Sequence, residues 1–261
     1  KDNKESIKID KIKGNLTAKN LTIMYENSNR KVINNVSFEI KKGELVALVG
    51  PVGCGKTTLA RALGRMLVVP KGALFLDEYD IVNIKLDDLR KNIAIVPQEG
   101  YLFTNTLEEN IKYGDTNATK NQVEDTATKA RLIDDIKGFP DGFETLVGER
   151  GITLSGGQRQ RTALSRALLT KAPVLVLDDA LASVDNKTAA LILRSIREEN
   201  NQTILLISHQ LSAAAACDRI LVLENGLLVQ EGTHTELINS KGTYKNLWER
   251  EQAAESIEDK K

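Results

Sequence analysis

The chain predicts an α/β fold built on a mainly parallel sheet with helices on both faces, and three observations point to it. Strand-like and helix-like segments alternate along its 261 residues, the pattern of a parallel sheet joined by helical crossovers. The runs "ELVALV", "VLVLD" and "TILLIS" are almost continuously apolar, as strands buried on both faces must be. The glycine-rich stretch "GPVGCGKTT", residues 50–58, joins one of these strand patterns directly to a helix pattern.

Taken in order, residues 1–14 mix charges with little apolar material and read as a linker. The chain opens on Lys1, and it reads as a piece of a longer polypeptide, with processing of the N-terminus as the plainer alternative. Alternation at Leu21, Ile23 and Tyr25 predicts a half-buried strand, followed by strands at "VSFEI" and "ELVALVG". The spacing predicts a helix over "KTTLARALGRML", then a short strand "IAIVPQ" stopped by Pro97. Residues 99–165 are polar and mostly helical in pattern, and predict a helical subdomain inserted into the sheet domain. A strand over 174–178, a helix over 186–199 and a strand over 203–208 come next. Asn225-Gly226 between two apolar runs predicts a hairpin with a left-handed turn. The C-terminal stretch predicts one or two amphipathic helices.

Bulk composition narrows the function. Lys plus Arg and Asp plus Glu both number 36, so the basic excess of a nucleic-acid-binding domain is missing. Two cysteines are too few for a disulfide framework and fit a reducing compartment. The longest apolar runs fall far short of the ~20 residues that span a bilayer.

The chemistry concentrates in three places. "GPVGCGKTT" fits G-x-x-x-x-G-K-[ST] in its required strand–helix setting. Glycines let several backbone N–H groups point at one phosphate chain, and the new helix adds its positive end. Pro51, Val52, Gly53, Cys54, Gly55, Lys56, Thr57 and Thr58 would form this cradle. Lys56 would meet the β- and γ-phosphates, and the Thr57 hydroxyl would ligate Mg²⁺. A Cys54 thiol accessible from outside would be alkylated with loss of ATP binding, and ATP would protect it. Asp178, at the end of an apolar strand, suits the acid that holds a water on the metal; a helix N-cap is the plainer reading. In "LSGGQRQR", residues 154–161, Ser155 reads as a helix cap whose glycines let a second anion approach.

With those residues in hand, the chain resembles the nucleotide-binding domain of ATP-binding-cassette transporters, of the bacterial exporter type. The resemblance covers nearly all of residues 15–250. It rests on Tyr25, "GPVGCGKTT", "VPQ" with Gln98, "TLVGERG" at 145–151, "LSGGQ", "VLVLDD", "SVD" ending at Asp185, and His209. It implies a P-loop NTPase (RecA-like) core, an antiparallel β subdomain and the helical insert. The implied layout is a linker (1–14), a core (15–98 and 166–250), a helical subdomain carrying the signature (99–165) and a tail (251–261). It implies ATP and Mg²⁺ as cofactors, and a head-to-tail dimer with a second nucleotide-binding domain. It also implies transmembrane domains as partners, and a place at the cytoplasmic face of the membrane.

Residue roles follow from the same match. Tyr25 would stack on adenine, where an isolated strand-end aromatic is otherwise packing. Gln98 would reach Mg²⁺ and the attacking water, or else hydrogen-bond its own loop. Ser155, Gly156, Gly157 and Gln158 would act on the ATP of the opposite subunit. Asp185 would cross the dimer interface, or cap the helix from 186. His209 would contact the γ-phosphate, where a lone histidine is more often a core residue. Glu149 and Arg150 would face a coupling helix, or form a solvated turn. His234 has no motif role and is expected at the surface.

The departure lies at Asp179, where the family normally has Glu to polarise water. Asp is shorter by about 1.5 Å, one carbon–carbon bond, against a hydrogen-bond reach of ~2.6–3.2 Å for a general base. The expectation is therefore intact ATP binding with slow hydrolysis, as in the degenerate-site half of a heterodimeric exporter. Retention of His209 weighs against that half. A slowly hydrolysing homodimer and an engineered substitution stay open. Leu181 and Ala182, where hydroxyls are usual, have no reading from sequence. Two further classes compete with an ATPase motor. One is a nucleotide-holding regulatory half. The other is a soluble relative acting on DNA or the ribosome, disfavoured because no long heptad insertion separates Gln98 from Leu154.

Overall fold

The structure, a computed structural model, describes residues 6–9, 11–25, 30–148, 154–200 and 202–258, with backbone alone at 198–200 and 255–258. β1 (Leu16–Met24) and β2 (Lys31–Ile40) form an antiparallel pair with register shifts along it. β2 starts five residues before "VSFEI", since its first half alternates too weakly to be read as strand. β3 (Leu45–Val49) is buried throughout and leads through the glycine loop into α1 (Lys56–Leu63). The helix expected over 56–67 stops at Gly64, and Arg65 turns into positive φ.

Residues 74–92, with no reading from sequence, hold β4 (Leu74–Leu76), β5 (Tyr79–Asp80) and α2 (Leu86–Asn92). Two- and three-residue strands are too short for a period to show. β6 (Ile93–Val96) follows. The next stretch carries β7 (Asn105–Thr106), α3 (Leu107–Lys112), α4 (Lys120–Lys129), α5 (Ile133–Gly138) and β8 (Leu146–Val147). It encloses its own core around Leu107, Ile111, Val123, Leu132 and Ile136. α6 (Gly156–Leu169) then runs continuously past residue 165.

β9 (Val174–Asp178), α7 (Asn186–Asn200) and β10 (Thr203–Ile207) match the pattern within a residue or so, because long apolar strands and a 3.6-residue stripe carry strong signals. α8 (Leu211–Ala215) was not expected. β11 (Arg219–Glu224) and β12 (Leu227–Gly232) form the hairpin, with Asn225 at φ 50° and Gly226 at φ 77°. α9 (His234–Asn239) and α10 (Thr243–Glu258) finish the chain.

Six strands form one sheet in the order β12-β11-β3-β10-β9-β6, parallel except for the β12 edge. A second sheet, β2-β1-β4-β5, is antiparallel. The main sheet feeds two cores by alternation. Val46, Leu48, Val174, Val176, Leu205 and Ile207 face α1 and the second sheet. Ala47, Val49, Leu175, Leu177, Ile204 and Leu206 face the other way, toward the helices of the second core. That is the period of two expected of pleated strands covered on both sides.

Two expectations are corrected here. The stretch before Gly14 is not a bare solvated tail in its described part. Ile7 pairs with Ile84, Ile9 is buried, and the Asp77 carboxylate accepts from the amides of Lys13, Gly14 and Asn15. His234 is not a free surface residue. Its Nδ1 lies 2.8 Å from the Tyr244 hydroxyl, and its ring packs on Trp248.

Candidate functional site

β3 delivers the chain to Gly50, whose φ is +148° and whose missing Cβ would lie 1.9 Å from the Leu223 carbonyl oxygen. Only glycine fits so close to another backbone. Gly55, at φ +113°, sits against the Val32 carbonyl in the same way. The loop therefore wraps tightly, and α1 opens at Lys56 with no side-chain cap, leaving its first N–H groups to the loop's concave side. The Lys56 ammonium donates to the Gly50 and Pro51 carbonyls at 2.7 and 3.0 Å. Burial pushes its pKa below the usual lysine value. Val52, at the tip, is 87% exposed. The Tyr25 and Thr58 hydroxyls share a 3.0 Å hydrogen bond, which tethers the exposed phenol to α1.

The two carboxylates at the end of β9 are both buried, Asp178 at 4% and Asp179 at 8% exposure, yet they find different partners. Asp178 accepts from the Thr57 hydroxyl at 3.1 Å. Asp179 turns out of the strand at φ 53° while its amide donates to the Ile207 carbonyl. Its Oδ2 accepts from Gln98 Nε2 at 3.2 Å, and its Oδ1 from the His209 amide at 3.4 Å. Burial, and secondly the Lys56 charge, push the His209 ring below its ordinary value and favour the neutral imidazole, against the opposing pull of Asp179 and Asp178. Tyr25, Lys56, Thr57, Thr58, Gln98 and His209 thus line one cleft of about 730 Å³.

Burial raises the Asp178 carboxyl above its ordinary value, with Thr57 opposing. A carboxyl raised on folding costs stability while ionised, and the cost fades as pH falls through the raised value. Asp178→Asn should therefore raise the thermal midpoint at pH 7.5. The gain should vanish as the pH is lowered toward the carboxyl's ordinary value. Calorimetry across pH without nucleotide checks this, and a loss of stability at neutral pH would refute it.

Cys54 does not meet the condition for alkylation. It is 5% exposed, and burial raises its thiol although Lys56 Nζ lies 3.8 Å away. Cys217 is buried too, with its thiol pushed up to about 12. Buried, undissociated thiols react slowly. Iodoacetamide at pH 7.5 should label both at least tenfold more slowly in the folded chain than in urea, as read by mass spectrometry.

The signature stretch sits elsewhere. Ser155 Oγ accepts from the Gln158 amide while Gln158 Oε1 accepts from the Ser155 amide, a reciprocal cap on α6. Gln158 Nε2 donates to Asp135, which also pairs with Arg161 at 2.7 Å. The missing Cβ of Gly157 would lie 2.9 Å from the Ser183 carbonyl oxygen, and Gly156 also lies beside Ser183. None of Ser155, Gly156, Gly157 and Gln158 is among the described residues lining the cleft. Asp185 accepts from the Thr188 amide at 3.0 Å and caps α7; the bond to Thr188 holds its carboxyl below the usual range. Glu149 and Arg150 lie outside the described residues. Leu181 is 3% exposed and packs in the second core, a use for an apolar side chain there, whereas nothing in the structure explains Ala182.

Sequence reasoning missed Arg30, Lys31, Val32, Asn225 and Gly226, which also line the cleft, and it missed Gln160. Gln160 is 6% exposed. Its Nε2 donates to the Gln98 carbonyl at 3.0 Å and, more weakly, to that of Asp179, while its Oε1 accepts from the Ser183 amide. One side chain on α6 thus ties the signature helix to both loops of the cleft. A polar residue four positions before the buried Leu164, on the inward stripe of α6, is the signal that could have found it.

Among the described residues, no group of three or more His, Cys, Asp or Glu side chains could hold a metal unaided. What is present fits Mg²⁺ nonetheless. A buried carboxylate raised by desolvation stands against a threonine hydroxyl at the mouth of a phosphate-shaped loop. Mg²⁺ is usually held by one or two protein oxygens plus phosphates and water.

This topology, with a glycine loop curled at the carboxyl ends of parallel strands, defines a P-loop NTPase domain. The chain belongs to the ABC transporter family, whose model matches residues 33–182. It is 41% identical over 240 residues to ABC transporter B family member 24, mitochondrial, of Arabidopsis thaliana, covering 89% of this chain and 35% of that protein. It is 39% identical over 242 residues to the ATP-dependent lipid A-core flippase of Photobacterium profundum, covering 92% and 41%. A solved structure of a bacterial Atm1-family ABC exporter with ATP bound is similar at a TM-score of 0.91 and 36% identity. That likeness covers 96% of this chain and 44% of that one. The chain thus spans between 35% and 44% of the length of these relatives.

Proposed function

We propose that the chain binds Mg-ATP in the cleft and hydrolyses it slowly, as the motor domain of an exporter. The observation that carries this is the convergence of Lys56, Thr57, Asp178, Asp179, Gln98 and His209 from separate strands and loops on one site. Thr57, Gln98 and Asp178 would hold Mg²⁺, which when bound neutralises charge on the transferring phosphoryl group. Lys56 and the loop amides would hold the β- and γ-phosphates. Tyr25 would carry the adenine, and Asp179 would orient water with His209 at the γ-phosphate. Ser155, Gly156, Gly157 and Gln158, which do not line this cleft, would close the cleft of a second nucleotide-binding domain in a head-to-tail dimer, with Asp185 at the interface. Transmembrane domains would place the chain at the cytoplasmic face of the membrane, with Glu149 and Arg150 in the coupling loop. The domain layout read from sequence is part of this proposal, with residues 1–14 as linker and 99–165 as signature-bearing insert.

A second reading is a regulatory half that holds nucleotide and turns over little. It is favoured by the Asp179 carboxylate, whose two oxygens are both engaged by Gln98 and the His209 amide. Mg-ATP turnover across a wide range of protein concentration, with EDTA as control, tests both. Specific activity that rises with concentration and disappears with EDTA supports the self-pairing motor. Binding without turnover at any concentration supports the regulatory half. Failure to bind Mg-ATP at millimolar concentration refutes both.

A further inference from the structure

The segment from Ser208 to Ser212 links β10 to α8 and carries His209. Beyond the Ser208 amide, which donates to the Leu48 carbonyl at 3.3 Å, and the Ser208 hydroxyl, which reaches the Gln210 carbonyl at 3.2 Å, its bonds are few. The Ser208 hydroxyl accepts from the Gln210 amide at 2.9 Å, and the His209 amide reaches Asp179 at a long 3.4 Å. Gln210, which precedes α8, offers no side-chain cap. The opening N–H groups of α8 would then be orphans. They are met instead from the far end of the chain. Both carboxylate oxygens of Glu251 accept from the Leu211 amide at 2.9 Å, and Oε1 accepts from Ser212 at 3.2 Å.

Glu251 can do this because α10 is itself fixed. Tyr244 on its first turn is fully buried, with its hydroxyl on His234, and Leu247 and Trp248 pack on the second core. Glu251 lies one turn beyond Leu247, on the same face of the helix. Glu251 and Leu247 close one wall of a 160 Å³ cavity whose other walls include Gly50, Pro51, Ser208 and His209. The cavity joins the glycine loop, the His209 segment and α10 in one place. His209 is therefore held between two carboxylates, Asp179 through its own amide and Glu251 through Leu211 and Ser212, two and three residues further on.

We infer that Glu251 is a positioning residue for His209: α10 acts as a strut whose carboxylate sets where the segment presents its imidazole to the cleft. The inference about turnover rests on the hydrolysis proposed above; the inference about position does not. Loss of the carboxylate should leave the Leu211 and Ser212 amides without a cap and let the His209 segment move. Nucleotide affinity, which depends on the glycine loop, should hold.

The test compares the 261-residue chain with Glu251→Ala, Glu251→Gln and Glu249→Ala, the last removing an exposed charge from the same helix. Amide hydrogen exchange by NMR and Mg-ATP turnover are read on each. For Glu251→Ala we expect exchange at least tenfold faster at His209, Leu211 and Ser212, with β3 and β10 unchanged. We expect kcat at least fivefold lower and KM within twofold. Glu251→Gln, which keeps an acceptor, should recover half or more of the lost kcat, and Glu249→Ala should match the unmodified chain. Faster exchange at Leu211 and Ser212 alone, with His209 and kcat unmoved, would overturn the proposal and leave Glu251 a helix cap. Acceleration spread evenly over the chain would overturn it too, as plain destabilisation. If the unmodified chain shows no turnover, the hydrolysis reading fails separately, and exchange at His209 alone decides the positioning.

Discussion

Asp179→Glu is expected to raise Mg-ATP turnover at least tenfold while leaving ATP affinity within about twofold. The loop amides, Lys56, Thr57 and Asp178 that would hold the nucleotide are untouched by the change. What changes is reach. The Asp179 carboxylate is folded into the protein, with Gln98 on one oxygen and the His209 amide on the other. A longer side chain adds about 1.5 Å, enough to carry one oxygen past these partners toward a water in the cleft. General-base catalysis is typically worth 10²–10⁴ in rate, so tenfold is a conservative threshold. The substitution has an opposing cost. Residue 179 sits at φ 53°, where Asp is tolerated better than most non-glycine residues. Glu should be slightly less stable there, because its longer side chain lacks the local hydrogen bonding that lets a short Asp visit the left-handed region. Faster turnover with slightly lower stability is the paired result. Unchanged turnover would show that the shorter carboxylate is not what limits the rate.

The largest effect on stability is expected at Gly50. An added Cβ would lie 1.9 Å from the Leu223 carbonyl oxygen and 3.0 Å from Cys54 Sγ. Neither a backbone carbonyl nor a buried sulfur can move aside without shifting β11 or the loop. Gly50→Ala should cost on the order of 4 kcal/mol in urea unfolding, the range reserved for overpacking against a rigid backbone. It should also abolish nucleotide binding, since the Gly50 carbonyl anchors Lys56. Gly53→Ala is the matched control. Its φ is +78°, but nothing lies within 4 Å of the added atom, so only the backbone penalty of ~1–2 kcal/mol applies. Equal costs at the two positions would show that the close approach to Leu223 is not the constraint.

Which parts of this molecule can be read from sequence follows from where the information lies. Val174–Asp178 and Thr203–Ile207 are legible because burial on both faces demands an unbroken apolar run. The hairpin is legible because Asn225-Gly226 satisfies a turn that few pairs can. The short strands at 74–80 are not, since two or three residues carry no period. The membership of the cleft is legible as motifs, each with its own local chemistry. Its wiring is not. Gln160, Asp135 and Glu251 act on residues tens of positions away, and an isolated Gln, Asp or Glu looks like any solvated side chain until the fold supplies its partner. His234 shows the same blindness in reverse, a residue with no motif that the fold pairs with Tyr244.

The alternation of β9 also has a chemical consequence. Asp178 is the last residue paired to β10, opposite Ile207, and the next amide is pinned to that same Ile207 by its carbonyl. The ladder therefore fixes which carboxylate meets Thr57 and which meets Gln98. A slip of a single residue along β10 would bring Asp179 to Thr57 and Ala180 to Gln98, or, run the other way, Leu177 to Thr57 and Asp178 to Gln98, so that one of the two places would lose its acid. Fidelity of strand pairing in this sheet is thus also fidelity in the division of labour between two adjacent acids.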